Sequence, residues 1–129
     1  MIRNALKAAG ITTADVDHVN AHGLGTTKGD AFEARGIGEV FGKSVPVFAP
    51  LSRFGNFGAA SALVELACSV LALQNGQLPG TLNHANPDPA CPVNVHTGAP
   101  LPIAKPYAVK TSYTDLGQCS AIVVKKWES

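Results

Sequence analysis

Over its first 74 residues the chain passes from helical to extended periodicity and back, and that alternation limits the available folds more than any other feature. Apolar residues at Ile2, Ala5, Leu6 and Ala9 have helical spacing, and Gly10 supplies the stop. Residues 16–21 read as a strand running into His22. Residues 30–41 form a second helix, with Phe32, Ala34, Ile37 and Val40 on its buried side and Asp30 and Glu33 in its first turn. Residues 45–49 are a second strand, followed by a glycine-marked turn over residues 50–58. A third helix over about residues 59–74 is apolar nearly all round, with Glu65 its only internal charge, and is expected to be buried on most sides. Prolines at 79, 87, 89 and 92 preclude helix over residues 78–92, which wrap as an extended connection. Residues 93–95 suggest a short strand, and residues 107–112 and 121–125 stronger ones.

This order implies one α/β domain over residues 1–129, a mixed, mostly parallel sheet with covering helices. A crossover needs a strand on each side of its helix, and this chain begins on a helix. The sheet is therefore expected to lack its first strand, placed at the middle of the sheet. That gap would leave apolar surface uncovered and the isolated segment poorly stable.

Hydrophobic residues make up 46% of the chain and charged residues 15%, which excludes disorder. The net charge of +1, without a basic block, excludes an electrostatic nucleic-acid footprint. The three cysteines, Cys68, Cys91 and Cys119, are widely spaced and read as reduced cytosolic thiols. No signal-peptide pattern opens the chain, and no uninterrupted apolar run reaches bilayer length. A soluble, cytoplasmic protein with no membrane partner is the expectation.

Chemistry concentrates in residues 19–30. A strand delivers His22 into the turn Gly23-Leu24-Gly25, in the manner of ligand-facing loops beyond the carboxyl ends of strands in open α/β sheets. On composition alone His22 divides evenly between a structural and a functional histidine. His18 and His22 do not make a metal pair, because strand residues four apart lie about 13 Å from each other. The glycine turn is an incomplete dinucleotide fingerprint, with Lys28 in place of its third glycine. Cys68, among apolar neighbours, reads as an inert core thiol.

Taken together, the motifs resemble those of the β-ketoacyl-acyl-carrier-protein synthases of the thiolase superfamily. Val19-Asn20-Ala21-His22-Gly23 with Thr26, Gly29 and Asp30 resembles the family's N-A-H-G-T-x-T-x-x-G-D motif, and Glu33 falls where the family carries a glutamate. Pro79-Gly80-Thr81-Leu82-Asn83 and Asn86-Pro87-Asp88-Pro89 resemble its P-P-T-x-N and N-P-D segments. The resemblance implies the C-terminal half of a thiolase-like fold and a Cys-His-His site whose cysteine lies upstream, outside this segment. None of the three cysteines here matches it.

Where the family pattern K-x-x-x-G-H runs, this chain has Leu51 and Asn56, so its lysine and second histidine are both replaced. The closing loop N-S-F-G-F-G-G-T-N is rewritten as residues 111–119. An asparagine amide still donates to an oxyanion, and Phe54-Gly55-Asn56 resembles the turn of related Cys-His-Asn synthases. The resemblance then implies an acyltransferase. It would carry out decarboxylating condensation of malonyl-acyl-carrier protein with an acyl thioester, in fatty-acid or polyketide synthesis. His22 and Asn56 would be catalytic, Thr26 and Asp115 would bind substrate, and Asp30, Glu33 and Glu65 would support the loop. No cofactor is implied. The implied partners are acyl carrier protein and a second complete chain in a homodimer or heterodimer. The alternative is a degenerate partner subunit resembling a chain-length factor, and a nucleotide-binding module is a distant third.

Overall fold

A computed structural model describes residues 1–127. In chain order the elements are α1 (Ile2–Ala9), β1 (Val16–Asn20), α2 (Thr27–Phe41), β2 (Pro46–Phe48), α3 (Leu51–Phe54) and α4 (Ser61–Asn75). Five strands complete the fold: β3 (Gln77–Leu78), β4 (Asn94–Val95), β5 (Leu101–Pro102), β6 (Tyr107–Tyr113) and β7 (Cys119–Lys125). The main sheet has five strands in the order β4-β2-β1-β6-β7. β1 is parallel to both of its neighbours, β2 is parallel to β4, and β7 turns back antiparallel to β6. β3 and β5 form a separate two-stranded ribbon that the sequence pattern did not reveal.

The middle of the sheet is thus occupied by β1, and the expected central gap is absent. The expectation failed because α1 is not a crossover between parallel neighbours. Its Ile2 and Leu6 join the core that β1, β2, β6 and α2 build on one face, with Val16, Val19, Ile37, Phe41, Val47 and Val109. The opposite face packs on α4 through Phe48, Ala72 and Leu78.

Two helices bury different faces from those the spacing suggested. In α2 the buried stripe is Ala31, Ala34, Ile37 and Phe41, whereas Phe32 is 67% exposed. A shift of one position is about 100° around the helix, and Phe41 rather than Phe32 supplies the bulky anchor. α4 is not buried on most sides: Ser61, Glu65, Ser69, Ala72 and Leu73 face the sheet, while Leu63 is 71% exposed. Gly58–Asn75 is long and apolar enough by mean composition to cross a bilayer, but Ser61, Glu65 and Ser69 interrupt it, so it is not an uninterrupted apolar run. Here that helix lies against the sheet through its polar stripe.

The connection after β3 is tied down by side chains from α3. Arg53 donates through Nε and Nη2 to the Gly80 carbonyl, at 3.1 and 2.6 Å, and the Leu82 N–H donates to Ser52 Oγ at 3.0 Å. A Cβ at Gly80 would lie 2.6 Å from the Gly98 carbonyl oxygen, so only glycine fits. This strapping holds the segment after β3 across the carboxyl end of β2.

Phe48 is 1% exposed and anchors the α4 side of the sheet. Phe48→Ala is expected to cost about 3–5 kcal/mol of unfolding free energy in the complete protein. Urea denaturation measures it, and a loss under about 1 kcal/mol would show that this second core carries little load.

Candidate active site

β1 alternates its side chains between two different environments. Val19 and Ala21 belong to the apolar core on the α2 side. His18, Asn20 and His22, two residues apart in turn, face α4. On α4 the facing residues are Ser61, Glu65 and Ser69, four apart and all fully buried. Two strand residues advance about 6.6 Å and four helix residues about 6.0 Å, so the two polar rows stay nearly in step. Running in opposite directions, they meet pairwise. His18 Nε2 lies 3.1 Å from Ser69 Oγ, and Asn20 Nδ2 donates to the same hydroxyl at 2.8 Å and to the Glu65 carbonyl. His22 Nδ1 lies 3.0 Å from Glu65 Oε1. The side chains of His18 and His22 are thus engaged separately.

The Glu65 contact orients the histidine. A carboxylate only accepts, so Nδ1 carries the proton and donates, leaving Nε2 as the nitrogen that can meet a substrate. The loop on the other side is fixed by Glu33 of α2. Its Oε1 accepts from the His22 backbone N–H at 2.8 Å and from Thr111 Oγ1 at 2.7 Å, and its Oε2 from the Gly23 N–H at 2.9 Å. Gly23 has φ of +53°, and a Cβ there would stand 2.7 Å from Ala49 Cβ. The glycine lets the loop turn tightly against the end of β2.

Asp30 accepts from the Gly25 N–H at 3.1 Å through Oδ2, while its buried Oδ1 has no partner. Burial raises its pKa above the ordinary carboxylate value, and Glu33 adds to the effect, against hydrogen bonds from the loop amides. Thr26 is the N-cap of α2, which begins one turn before Asp30. A cavity of about 510 Å³ runs beside this loop, lined by Gly23, Thr26, Asp30, Ser52, Asn56 and Thr81 among others. His22 itself stays buried behind the loop, 8% exposed.

Asn56 reaches that cavity because α3 ends at Gly55, whose φ of 78° is left-handed. The Asn56 Oδ1 accepts from the Gly58 N–H at 2.7 Å and from Ser61 Oγ at 2.9 Å. These bonds aim its amide Nδ2 outward, without an acceptor among the described residues. Asp115 stands apart: it is exposed at the tip of the β6–β7 hairpin and does not line the cavity.

Three contributors were not singled out from the sequence. Tyr113 sets its ring edge-on to His22, centroids 5.1 Å apart at 89°. Thr111 holds Glu33, as above. Lys110, only 3% exposed, pairs its ammonium with Glu65 Oε2. A usable signal existed for the lysine: it sits mid-strand between Val109 and Thr111, in a strand that the apolar pattern covers on both faces, and buried lysines require a partner. Cys68 and Cys91 are free thiols whose pKa values burial pushes up, which makes them poor nucleophiles.

Residues 1–85 match the family described as beta-ketoacyl synthase, C-terminal domain. The chain belongs to that family. It is 39% identical over 127 residues to 3-oxoacyl-acyl-carrier-protein synthase 2 of Mycobacterium tuberculosis (strain ATCC 25618 / H37Rv), covering 98% of this chain and 30% of that protein. It is 42% identical over 98 residues to nodulation protein E of Rhizobium sp. (strain N33), covering 73% of this chain and 24% of that protein. Among solved structures, the ishigamide ketosynthase/chain length factor superposes with a TM-score of 0.92 at 27% identity, over 98% of this chain and 32% of that one. A type II polyketide ketosynthase solved in complex with its acyl-carrier protein gives 0.91 at 28%, over 98% and 32%. The chain spans about a third of the length of these curated relatives and solved chains, or less. The fold is that of the C-terminal part of a thiolase-like ketosynthase, as the motifs implied.

Tyr113 gives the His22 site a pH signature. Burial, with Asp30 next, pushes its phenol up to about 12. The Thr26 hydroxyl beside it works the other way, although the phenol oxygen lacks a partner in full hydrogen-bond geometry. An unfolded tyrosine ionises near pH ~10. The folded chain keeps its proton longer, so stability present below pH ~10 is lost as pH climbs toward 12. Tyr113→Phe is expected to lose less stability across that window in denaturant titrations, and an identical alkaline loss would contradict the buried placement.

Proposed function

We propose that the complete protein is an acyltransferase, a β-ketoacyl-acyl-carrier-protein synthase working in fatty-acid or polyketide synthesis with a Cys-His-Asn site. The observation that carries this reading is the His22–Glu65 pair, which presents Nε2 from a loop whose His22 and Gly23 N–H groups are both held by Glu33. In the proposed reaction an upstream cysteine holds the acyl group as a thioester. The malonyl thioester breaks its bond to the carboxylate carbon, releasing carbon dioxide, and the electron pair passes into an enolate. The enolate carbon then attacks the acyl carbonyl, forming the new C–C bond and expelling the cysteine thiolate.

His22 and Asn56 serve the enolate and thioester oxygens. With Nδ1–H held by Glu65, Nε2 donates when the ring carries a second proton, and the carboxylate compensates the charge. The outward Nδ2 of Asn56 is the second donor. Thr26 and the cavity beside it take the pantetheine arm of acyl carrier protein, while Asp115, exposed at the hairpin tip and outside that cavity, is given no contact with the thioester. The likeness to a ketosynthase solved with its carrier protein supports that partner. We place the complete chain in the cytoplasm, as a homodimer or heterodimer.

A second reading has specific support. Leu51 in place of the lysine and the rewritten loop over residues 111–119 suit a non-catalytic partner subunit that binds the carrier protein or acyl chain. One assay separates the two. In the complete protein, His22→Ala is expected to abolish carbon dioxide release from malonyl-acyl-carrier protein, and Asn56→Ala to lower it by about 10²–10³. A wild-type chain that binds carrier protein without releasing carbon dioxide would establish the partner-subunit reading instead.

A further inference from the structure

We infer that Lys110 is a positioning residue of the His22 site, the counter-charge that holds the buried Glu65 carboxylate in place for the histidine. The register of the sheet puts it there. Lys110 is the parallel partner of Asn20, so its side chain leaves the sheet on the face that carries His18, Asn20 and His22. Its ammonium pairs with Glu65 Oε2 and also donates to the Thr111 carbonyl. His22 Nδ1 lies nearest Glu65 Oε1, at 3.0 Å, and 3.2 Å from Oε2, so the ammonium and the imidazole are held by the same carboxylate.

No other group stands in for it. Among the described residues classed as buried, Lys110 is the only lysine or arginine and Glu65 the only carboxylate. Glu33 is occupied by the loop amides and Thr111. Leu51, where the family pattern carries its lysine, is buried and apolar, so the cation enters from a different element. Burial lowers the pKa of Lys110 and Glu65 raises it back, which marks the ammonium as costly to bury and dependent on this one partner. Such pairs add little net stability but orient the groups they hold. Without Lys110 the whole charge of Glu65 would fall on His22.

The groups facing His22 are Glu65 from α4, Tyr113 from β6 and Glu33 from α2, with Lys110 acting through Glu65. Removing the lysine raises the proton affinity of the His22–Glu65 pair. In the complete protein, Lys110→Met is expected to move the His22 titration, read by NMR of selectively labelled histidine, about one unit to higher pH. The decarboxylation kcat should fall about tenfold or more, with KM for malonyl-acyl-carrier protein held within about twofold. In a Glu65→Gln background the same substitution should move neither. Lys110→Gln gives the same comparison if the methionine variant fails to fold.

This inference rests on the ketosynthase reading only for its kinetic part. A wild-type chain that releases no carbon dioxide defeats that reading, while the histidine titration still decides the role of Lys110. An unmoved titration in Lys110→Met, or an equal shift with Glu65 already replaced, overturns the inference.

Discussion

The carboxylate of Glu65 is the point on which the two halves of this structure agree. It is fully buried in the second turn of α4, where an unpaired charge would cost several kcal/mol, about 3–5 when a partner is removed. The surrounding chain is arranged to prevent that. His22 from the loop after β1 and Lys110 from β6 meet the carboxylate, and the Asn20 amide of β1 holds the Glu65 backbone carbonyl, so a single α4 residue gathers two adjacent strands. Because all three partners are polar and directional, the helix cannot slide along the sheet as it could on an apolar face. The seam fixes register, and the register fixes where His22 stands.

The same seam explains why α4 is polar toward the sheet and apolar toward solvent, the reverse of an ordinary amphipathic helix. Leu63 and Leu71 lie on the outer side, 71% and 55% exposed. The sheet-facing stripe of Ser61, Glu65 and Ser69 is small and polar because it meets the functional side chains of β1.

The elements were legible where local chemistry marks both ends. α1 was readable in full because its apolar spacing stops at Gly10, which adopts a left-handed cap. β1 and the β6–β7 pair were readable from their β-branched runs. The centre of the sheet was not, because strand order is a non-local property: nothing within residues 16–20 says that two neighbours will flank them. Phe32 misled for a related reason, since a bulky apolar residue one step off the stripe satisfies the same coarse periodicity. In the site, the structure places His22, Glu33 and Glu65 in one hydrogen-bonded group, and the spacing of a recognisable motif pointed to the first two. The pairing of Glu65 with Lys110 spans 45 residues and depends on the facing of β6 against β1, which no local pattern encodes. Asp115 shows the converse: motif alignment put it near the site, and the hairpin carries it outward to the tip.

Parallel strands supply the last constraint. β1, β2 and β6 all run the same way, so the segments that leave their carboxyl ends emerge along one edge of the sheet. His22 follows β1, Asn56 follows β2 by way of α3, and Tyr113 ends β6. Three residues far apart in sequence are therefore neighbours by topology, before any side chain makes a bond. What distinguishes them is how each is restrained. His22 is held by Glu65 and Glu33 on two sides, and Asn56 has its carbonyl tied to Gly58 and Ser61 with its amide directed outward. A donor fixed through its acceptor end is pre-organised without being consumed, which is what an oxyanion site requires. An asparagine where the family pattern carries a histidine keeps a donor and removes a titrating group, which in the proposed reaction leaves proton exchange with the substrate to His22, with Glu65 and Lys110 behind it.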